Sequence, residues 1–239
     1  TTGIQDSVGS NNGTNNGATE IQTNVWTPRL NGESTTLPST ALVSSDLQFE
    51  SPYSNFSLDF DGASNHLEIS SGTLFDFGST SFSFSGWVKR SSVGDSTNAI
   101  FFIQKSGTTP TMQIRQNARN VKVDFNVGST WSFVETTTNP IGNDTNWHHL
   151  AVTKSGTSMS IYFDGLLQDT GTAPVTLDAS NGTTFLGARG GTQQYWTGNI
   201  DETAIFNKEL TQAEVSSIYN NGYAADLTSL SPVSWWRLG

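Results

Sequence analysis

An all-β fold of antiparallel strands with one short helix near 211–220 is what this sequence predicts, and three observations carry it. Segments such as WHHLAVTK (147–154) and SMSIYFD (158–164) alternate apolar and polar residues with period two, the mark of a strand with one buried face. Turn signals separate such segments at short intervals: Ser155-Gly156-Thr157, then Asp164-Gly165, a dipeptide that favours two-residue hairpin loops. One stretch, 211–220, carries both the spacing and the capping residues of a helix.

Taken in order, residues 1–24 are almost entirely turn-formers, with Ile4, Val8 and Ile21 to bury, and read alone as a loop or flexible end. Residues 25–46 carry Trp26, Pro28 and Pro38 and read as an irregular surface connection. LQFE (47–50) and FSLDF (56–60) are short strands, and Asp61-Gly62 turns the chain into HLEIS (66–70). In SFSFSGWVKR (81–90), Phe82 and Phe84 share a face, and Trp87 falls on the other unless Gly86 marks a bulge. AIFFIQK (99–105), nearly all apolar, is expected to be a central strand buried on both faces. TMQIRQ (111–116) and NVKVDFNV (120–127) alternate around 117–119 as a hairpin, and TWSFVET (130–136) is a further strand. In WHHLAVTK, Trp147, His149, Ala151 and Thr153 face one way and His148, Leu150, Val152 and Lys154 the other. At the helix, Thr211 and Glu214 form a capping box, Val215, Ile218 and Tyr219 give the docking stripe, and Asn221-Gly222 ends it. Its expected role is to plug one end of the fold.

Composition bounds the function. A chain of 239 residues has room for one large domain and a full core, so no disulfide is required, and cysteine is absent. Thiolate metal sites and thiol redox chemistry are thereby excluded. Lys+Arg 11 against Asp+Glu 21 leaves a net charge of −10, which argues against nucleic acid and anionic membranes as partners. No apolar run is long enough to insert in a membrane. Surface polarity rests on Ser, Thr, Asn and Gly, as in many extracellular β proteins.

W-H-H-L-A-V-T, I-Y-F-D-G and G-N-I-D-E-T-A-I-F-N-K-E-L-T-Q-A-E, with FSLDFDGASNHLEI (56–69) and SFSFSGWVKR upstream, resemble the laminin G-like and pentraxin-like branch of the concanavalin A-like sandwiches. The resemblance covers about residues 47–239. It implies a two-sheet antiparallel jelly-roll β-sandwich forming a single domain over 1–239, with 1–46 as a loop-rich opening and 47–239 as the core. Members open with an aromatic strand and then a D-x-x-G-x-x-x-G-T loop, which Asp6–Thr14 matches without the strand before it. PVSWWRLG (232–239) has that strand's character. It either closes this domain's own sheet or belongs to the next repeat of a tandem array.

Four chemistries can be weighed. Glycosidases of this sandwich need several carboxylates on one strand face, nucleophile and acid roughly 5–5.5 Å apart. Asp59/Asp61 lack a third partner, and Asp201/Glu202 are adjacent and so expected on opposite faces; the resemblance, through its I-D-E strand, implies that this second pair is structural. No catalytic residues are assigned, and a non-enzyme is expected. The resemblance implies calcium at Asp61 and Asn65, but its second, acidic loop reads Ala188-Arg189-Gly190-Gly191-Thr192-Gln193-Gln194 here. At most one Ca²⁺, held by Asp61, Asn65 and Gln193 or Gln194, is expected; the alternative is that Asp61 caps a turn. Sugar binding needs exposed aromatic platforms beside amides and charges. Tyr195, Trp196 and Trp26 with Gln193, Gln194 and Arg189 are the foremost candidates, with Trp131, Tyr53 and Tyr223 behind them. Trp87, Trp147 and one of Trp235 and Trp236 are expected in the core. His66, His148 and His149 lack ligand spacing, and four Asn-x-Ser/Thr sequons are what an Asn- and Thr-rich chain produces by chance.

Two function classes follow. One is an extracellular module binding glycans or surface polysaccharide, its loops near 26, 61–65 and 188–198 forming one rim. The other is a structural subunit on a cell or virion surface, such as an adhesin repeat or homo-oligomer, contacting other protein subunits.

Overall fold

The computed structural model describes residues 4, 6–22, 29–30, 47–48, 56–141 and 143–238. Among them are seventeen strands, β1 to β17 in chain order, and one α-helix. A seven-stranded antiparallel sheet runs β1 (Gly13–Asn16), β6 (His66–Ser70), β15 (Thr183–Leu186), β8 (Ser96–Ser106), β9 (Thr109–Ala118), β10 (Asn120–Val127) and β11 (Thr130–Glu135). The facing sheet runs β14 (Leu166–Thr172), β13 (Ser158–Phe163), β12 (Trp147–Ser155), β7 (Phe82–Arg90), β16 (Thr197–Phe206), β5 (Phe56–Asp61) and β2 (Thr19–Gln22). β17 (Ser234–Trp236) also pairs with β16, and β3 (Arg29–Leu30) pairs with β4 (Leu47–Gln48) apart from both sheets. This is the two-sheet jelly roll expected.

Period two fills the space between the sheets. Leu58 and Phe60, Phe82, Phe84 and Val88, Leu150 and Val152, and Met159, Ile161 and Phe163 from one sheet meet Leu67 and Ile69, Met112 and Ile114, and Val121, Val123 and Phe125 from the other. β8 is buried throughout from Ala99 to Ile103, as its unbroken apolar run requires. The Asp164-Gly165 loop has positive φ at both residues (51° and 73°), the two-residue hairpin geometry that matches strand twist.

β12 was expected to be half-buried, and it is not. Its outward residue Ala151 joins Tyr162, Ala204, Phe206 and Trp235 in a second apolar layer, closed by Val215 and Ile218 of α1 (Gln212–Tyr219). Burying two such aliphatic side chains contributes roughly 3–6 kcal/mol, far more than helix propensity. The capping box is present: Thr211 Oγ1 accepts from the Glu214 N–H at 3.2 Å, and Glu214 Oε2 accepts from the Thr211 N–H at 2.8 Å. The helix therefore covers the outer face of this sheet instead of plugging an end. A Cβ at Gly165 would lie 2.9 Å from Tyr219 Cδ1, so the hairpin glycine also admits the helix.

Trp87 keeps its outward parity. The β7–β12 register is unbroken from Trp147↔Lys89 to Lys154↔Phe82, and the Trp87 ring lies 5.9 Å from that of Tyr219 beneath the helix. The bulge falls on β16 instead, where Asp201 opposes Trp87 and Ala204 opposes Ser85. That extra residue puts Asp201 and Glu202 on the same, helix-covered side: Asp201 faces with Trp87, and Glu202 Oε2 accepts from Trp235 Nε1 at 2.6 Å. Both tryptophans of β17 are buried, Trp236 between the sheets and Trp235 under the helix, where one was expected.

The opening segment is tied to β17. Asp6 Oδ1 accepts from the Trp235 N–H at 3.0 Å, Ser7 N–H donates to Trp235 O at 2.7 Å, and Trp236 Nε1 donates to Asn11 O at 2.8 Å. On the opposite flank the edge strands β11 and β14 are clamped together. Asp169 Oδ2 accepts from Thr137 N–H and Oγ1 at 2.9 Å, and Gly171 lies against Val134.

Candidate functional site

With one sheet covered by the helix layer, the broad outer face left to the surroundings is that of the seven-stranded sheet. The strand registers place Thr14, Glu68, Phe185, Phe102, Gln113, Asp124 and Phe133 in one row across all seven strands on that face. Phe185, Phe102 and Gln113 are buried because the 187–196 loop folds back over them. Gln194 O accepts from the Ala99 N–H at 2.7 Å, and its Oε1 accepts from Gln113 Nε2 at 2.7 Å. Arg189 Nε donates to Thr108 O at 2.7 Å, and Tyr195 OH donates to Gly191 O at 2.8 Å. The loop is thus a pinned flap on the sheet.

This arrangement sorts the expected ligand residues. Trp196 is 0% exposed, with Nε1 donating to Asn199 O at 3.2 Å, so it is core and offers no platform. Tyr195 is half-buried, Gln194 is engaged with Gln113, and Gln193 is exposed. Trp26 and Tyr53 lie outside the described residues. Arg189 faces Trp131, its guanidinium carbon 5.7 Å from the ring centroid.

Trp131 is 50% exposed and Phe133 56% exposed, both on the outer face of β11 at an i, i+2 spacing. Two residues along a strand separate them by about 7 Å. Lys122 Nζ lies 3.6 Å from the Phe133 centroid. Beside these rings are Arg115, whose Nε meets Asp124 Oδ2 at 2.5 Å, and Lys105, whose Nζ meets Asp178 Oδ2 at 2.5 Å and Asn126 Oδ1 at 3.2 Å. Lys122 pairs with Glu135 at 3.2 Å. Hydrogen bonds from Asn117 and Asn120 together with Lys122 outweigh burial and hold the Glu135 carboxyl below its ordinary range. The strip combines exposed aromatic faces with charges and amides, the two chemistries that sugar rings present in mirror form. Its members beyond Trp131 and Arg189 were missed from sequence, although Lys122, Asp124 and Asn126 alternate as the polar face of one strand.

At the loop expected to hold calcium, the Asp61 carboxylate is bonded within its own turn. Asp61 Oδ1 accepts from the N–H groups of Ala63, Ser64 and Asn65 at 2.8–3.0 Å, and Oδ2 from Ser64 Oγ at 3.0 Å. Asn65 Oδ1 accepts from the Asp61 N–H at 3.2 Å. These bonds hold the Asp61 carboxyl far below its ordinary range. A hard cation wants six to eight oxygens, and among the described residues no group of three or more His, Cys, Asp or Glu could hold a metal. This donor set fits a capped turn better than an ion. His148, between Asp164 at 2.7 Å and Asp144 at 3.0 Å, titrates above its usual range because those carboxylates outweigh burial. His149 is fully buried, bonded to Ser85 Oγ at 2.8 Å, and pushed down to about 4 by desolvation.

Residues 61–216 match a family described as the concanavalin A-like lectin/glucanases superfamily. The chain belongs to that superfamily. No curated protein matches it. Among solved structures it is similar to the receptor-binding domain of botulinum neurotoxin C/D mosaic serotype, at 12% identity and TM-score 0.58 over 92% of this chain and 48% of that one. The botulinum neurotoxin serotype G binding domain gives 16% identity and TM-score 0.54 over 82% and 50%. A heptameric SAP-like pentraxin from Limulus polyphemus gives 17% identity and TM-score 0.52 over 68% and 81%. The chain spans about half the length of the neurotoxin domains, and at these identities the likeness is one of fold. Among the described residues no helix is long and apolar enough to cross a membrane.

Proposed function

We propose that this protein is an extracellular, non-catalytic glycan-binding module whose site is the Trp131–Phe133 strip on the outer face of the seven-stranded sheet. The observation that carries the reading is Trp131: half its surface is open, a guanidinium backs it, and Asp124 and Asn126 flank it on the neighbouring strand. An indole face stacks on the C–H face of a sugar while carboxylate, amide and guanidinium groups bond its hydroxyls. Two aromatic faces about 7 Å apart suit consecutive residues of a saccharide chain more than a single sugar.

The test is a glycan array probed with the purified protein in millimolar calcium and in EDTA, with Trp131→Ala beside it. Binding that survives EDTA and weakens at least about tenfold in Trp131→Ala supports the strip as the site. Binding that is untouched by Trp131→Ala refutes it, and binding lost in EDTA returns the site to Asp61 and Asn65. A second reading, a surface subunit that packs on its neighbours, is favoured by one feature: Leu166, 66% exposed, and Leu167 stand together at the head of edge strand β14. Light scattering that shows a stable oligomer, dispersed by Leu166→Ser, would support that reading.

A further inference from the structure

The strip holds four of the chain's 11 Lys and Arg residues: Lys105, Arg115, Lys122 and Arg189. Three are neutralised by their own carboxylates, Asp178 at 2.5 Å, Asp124 at 2.5 Å and Glu135 at 3.2 Å. Arg189 is the exception. Among the described residues it has no ion pair; its Nε holds Thr108 O, and its plane stands against Trp131. The N–H groups on its two terminal nitrogens have no bond to a described residue. Its charge is half-buried, a state that desolvation disfavours and that a counter-ion would relieve. Asp124 lies near enough to influence it but is committed to Arg115, so the pair is neutral as a unit and leaves Arg189 uncompensated.

We propose that the saccharide this strip takes is an acidic one, its carboxylate received by the terminal N–H groups of Arg189 while its ring stacks on Trp131. This rests on the strip being the glycan site and adds the class of sugar. A guanidinium presents two parallel N–H donors to a carboxylate, a match that a neutral hydroxyl cannot reproduce. Elsewhere a chain of net charge −10 repels anions, so selection for a carboxylate falls to Arg189, the cation of the strip that has no ion pair among the described residues.

The experiment uses saccharides matched except for the carboxylate: tri-galacturonate against its methyl ester, and sialyllactose against lactose, titrated calorimetrically into the wild-type chain, Arg189→Gln, Arg189→Lys and Trp131→Ala. The expected result is an acid form bound at least about tenfold more tightly than its neutral partner in one pair, which tells uronic from sialic sources. Arg189→Gln removes that preference, Arg189→Lys keeps part of it, and Trp131→Ala weakens acidic and neutral forms alike. Equal affinity for both members of each pair in the wild-type chain overturns the acidic specificity and leaves the site standing. A wild-type preference that persists undiminished in Arg189→Gln overturns the assignment to Arg189. Binding unchanged in Trp131→Ala overturns the site itself. The wild-type comparison needs no variant, so a folding defect in Arg189→Gln cannot obscure the answer.

Discussion

Glu202 sits on the β16 bulge with φ 46° and is 3% exposed. Its Oε2 accepts from Trp235 Nε1 at 2.6 Å, its Oε1 has no hydrogen-bond partner among the described residues, and Arg237 Nε is 3.8 Å away. Burial pushes its pKa from the ordinary 4.5 up to about 8, against the opposing pull of Trp235 and Arg237. The folded protein therefore holds a proton here across neutral pH that the unfolded chain releases near 4.5. The sign follows: this stabilisation is complete below about pH 4.5 and is lost progressively as pH rises to about 8. At 1.36 kcal/mol per pH unit, the interval from 4.5 to about 8 amounts to roughly 5 kcal/mol as a ceiling. Glu202→Gln keeps a carbonyl oxygen for the Trp235 indole and removes the titration. Urea unfolding followed by tryptophan fluorescence at pH 5, 6, 7 and 8 is the assay. Glu202→Gln should be close to wild type at pH 5 and progressively more stable than it toward pH 8, by several kcal/mol. His148, also raised, loses its stabilisation over part of the same range, but it is common to both proteins and cancels in the difference. Parallel profiles would mean that Glu202 does not titrate above its ordinary range in the folded protein, and a wild-type advantage that grows with pH would mean that its charged form is the stabilising one.

Two further outcomes are expected. Trp196→Ala empties a fully buried site and should cost about 3–5 kcal/mol, on the order of 10 °C in melting temperature; a binding defect with unchanged melting would show that Trp196 contacts ligand after all. Asp61→Ala breaks the capped turn and should lower the melting temperature by the same amount in calcium and in EDTA, whereas a calcium-dependent difference would mean the carboxylate holds an ion.

Much of the sandwich was legible because period two is a local property: the pleat alone puts Leu150 and Val152 on one side of β12. The helix was legible from its capping box, which needs only four residues. The second apolar layer was not, because Ala151, Tyr162 and Ala204 do not stand out as apolar on the outward parity, and only the docked helix makes them core. Parity also failed at β16, where one inserted residue carried Glu202 to the same side as Asp201. At the site, Arg189 could be singled out by type, but its partner Trp131 is distant in sequence and meets it only through the fold. Trp196 misled for the opposite reason: a Tyr-Trp pair in a glycine-rich loop looks displayed, and the flap turned the larger ring inward.

The bonds between Asp6 and β17 have a consequence for how the chain reaches this state. The Trp235 N–H and the Asp6 carboxylate are 229 residues apart in sequence. During synthesis, hairpins such as β12–β13–β14 can close on their own, while the loop after Asp6 must wait until the chain has been made as far as Trp235 before its acceptor has a donor. Residues 6–11 should therefore be the last part of the fold to acquire amide protection. The final event of folding would then be the union of the earliest-made and latest-made parts of the described chain.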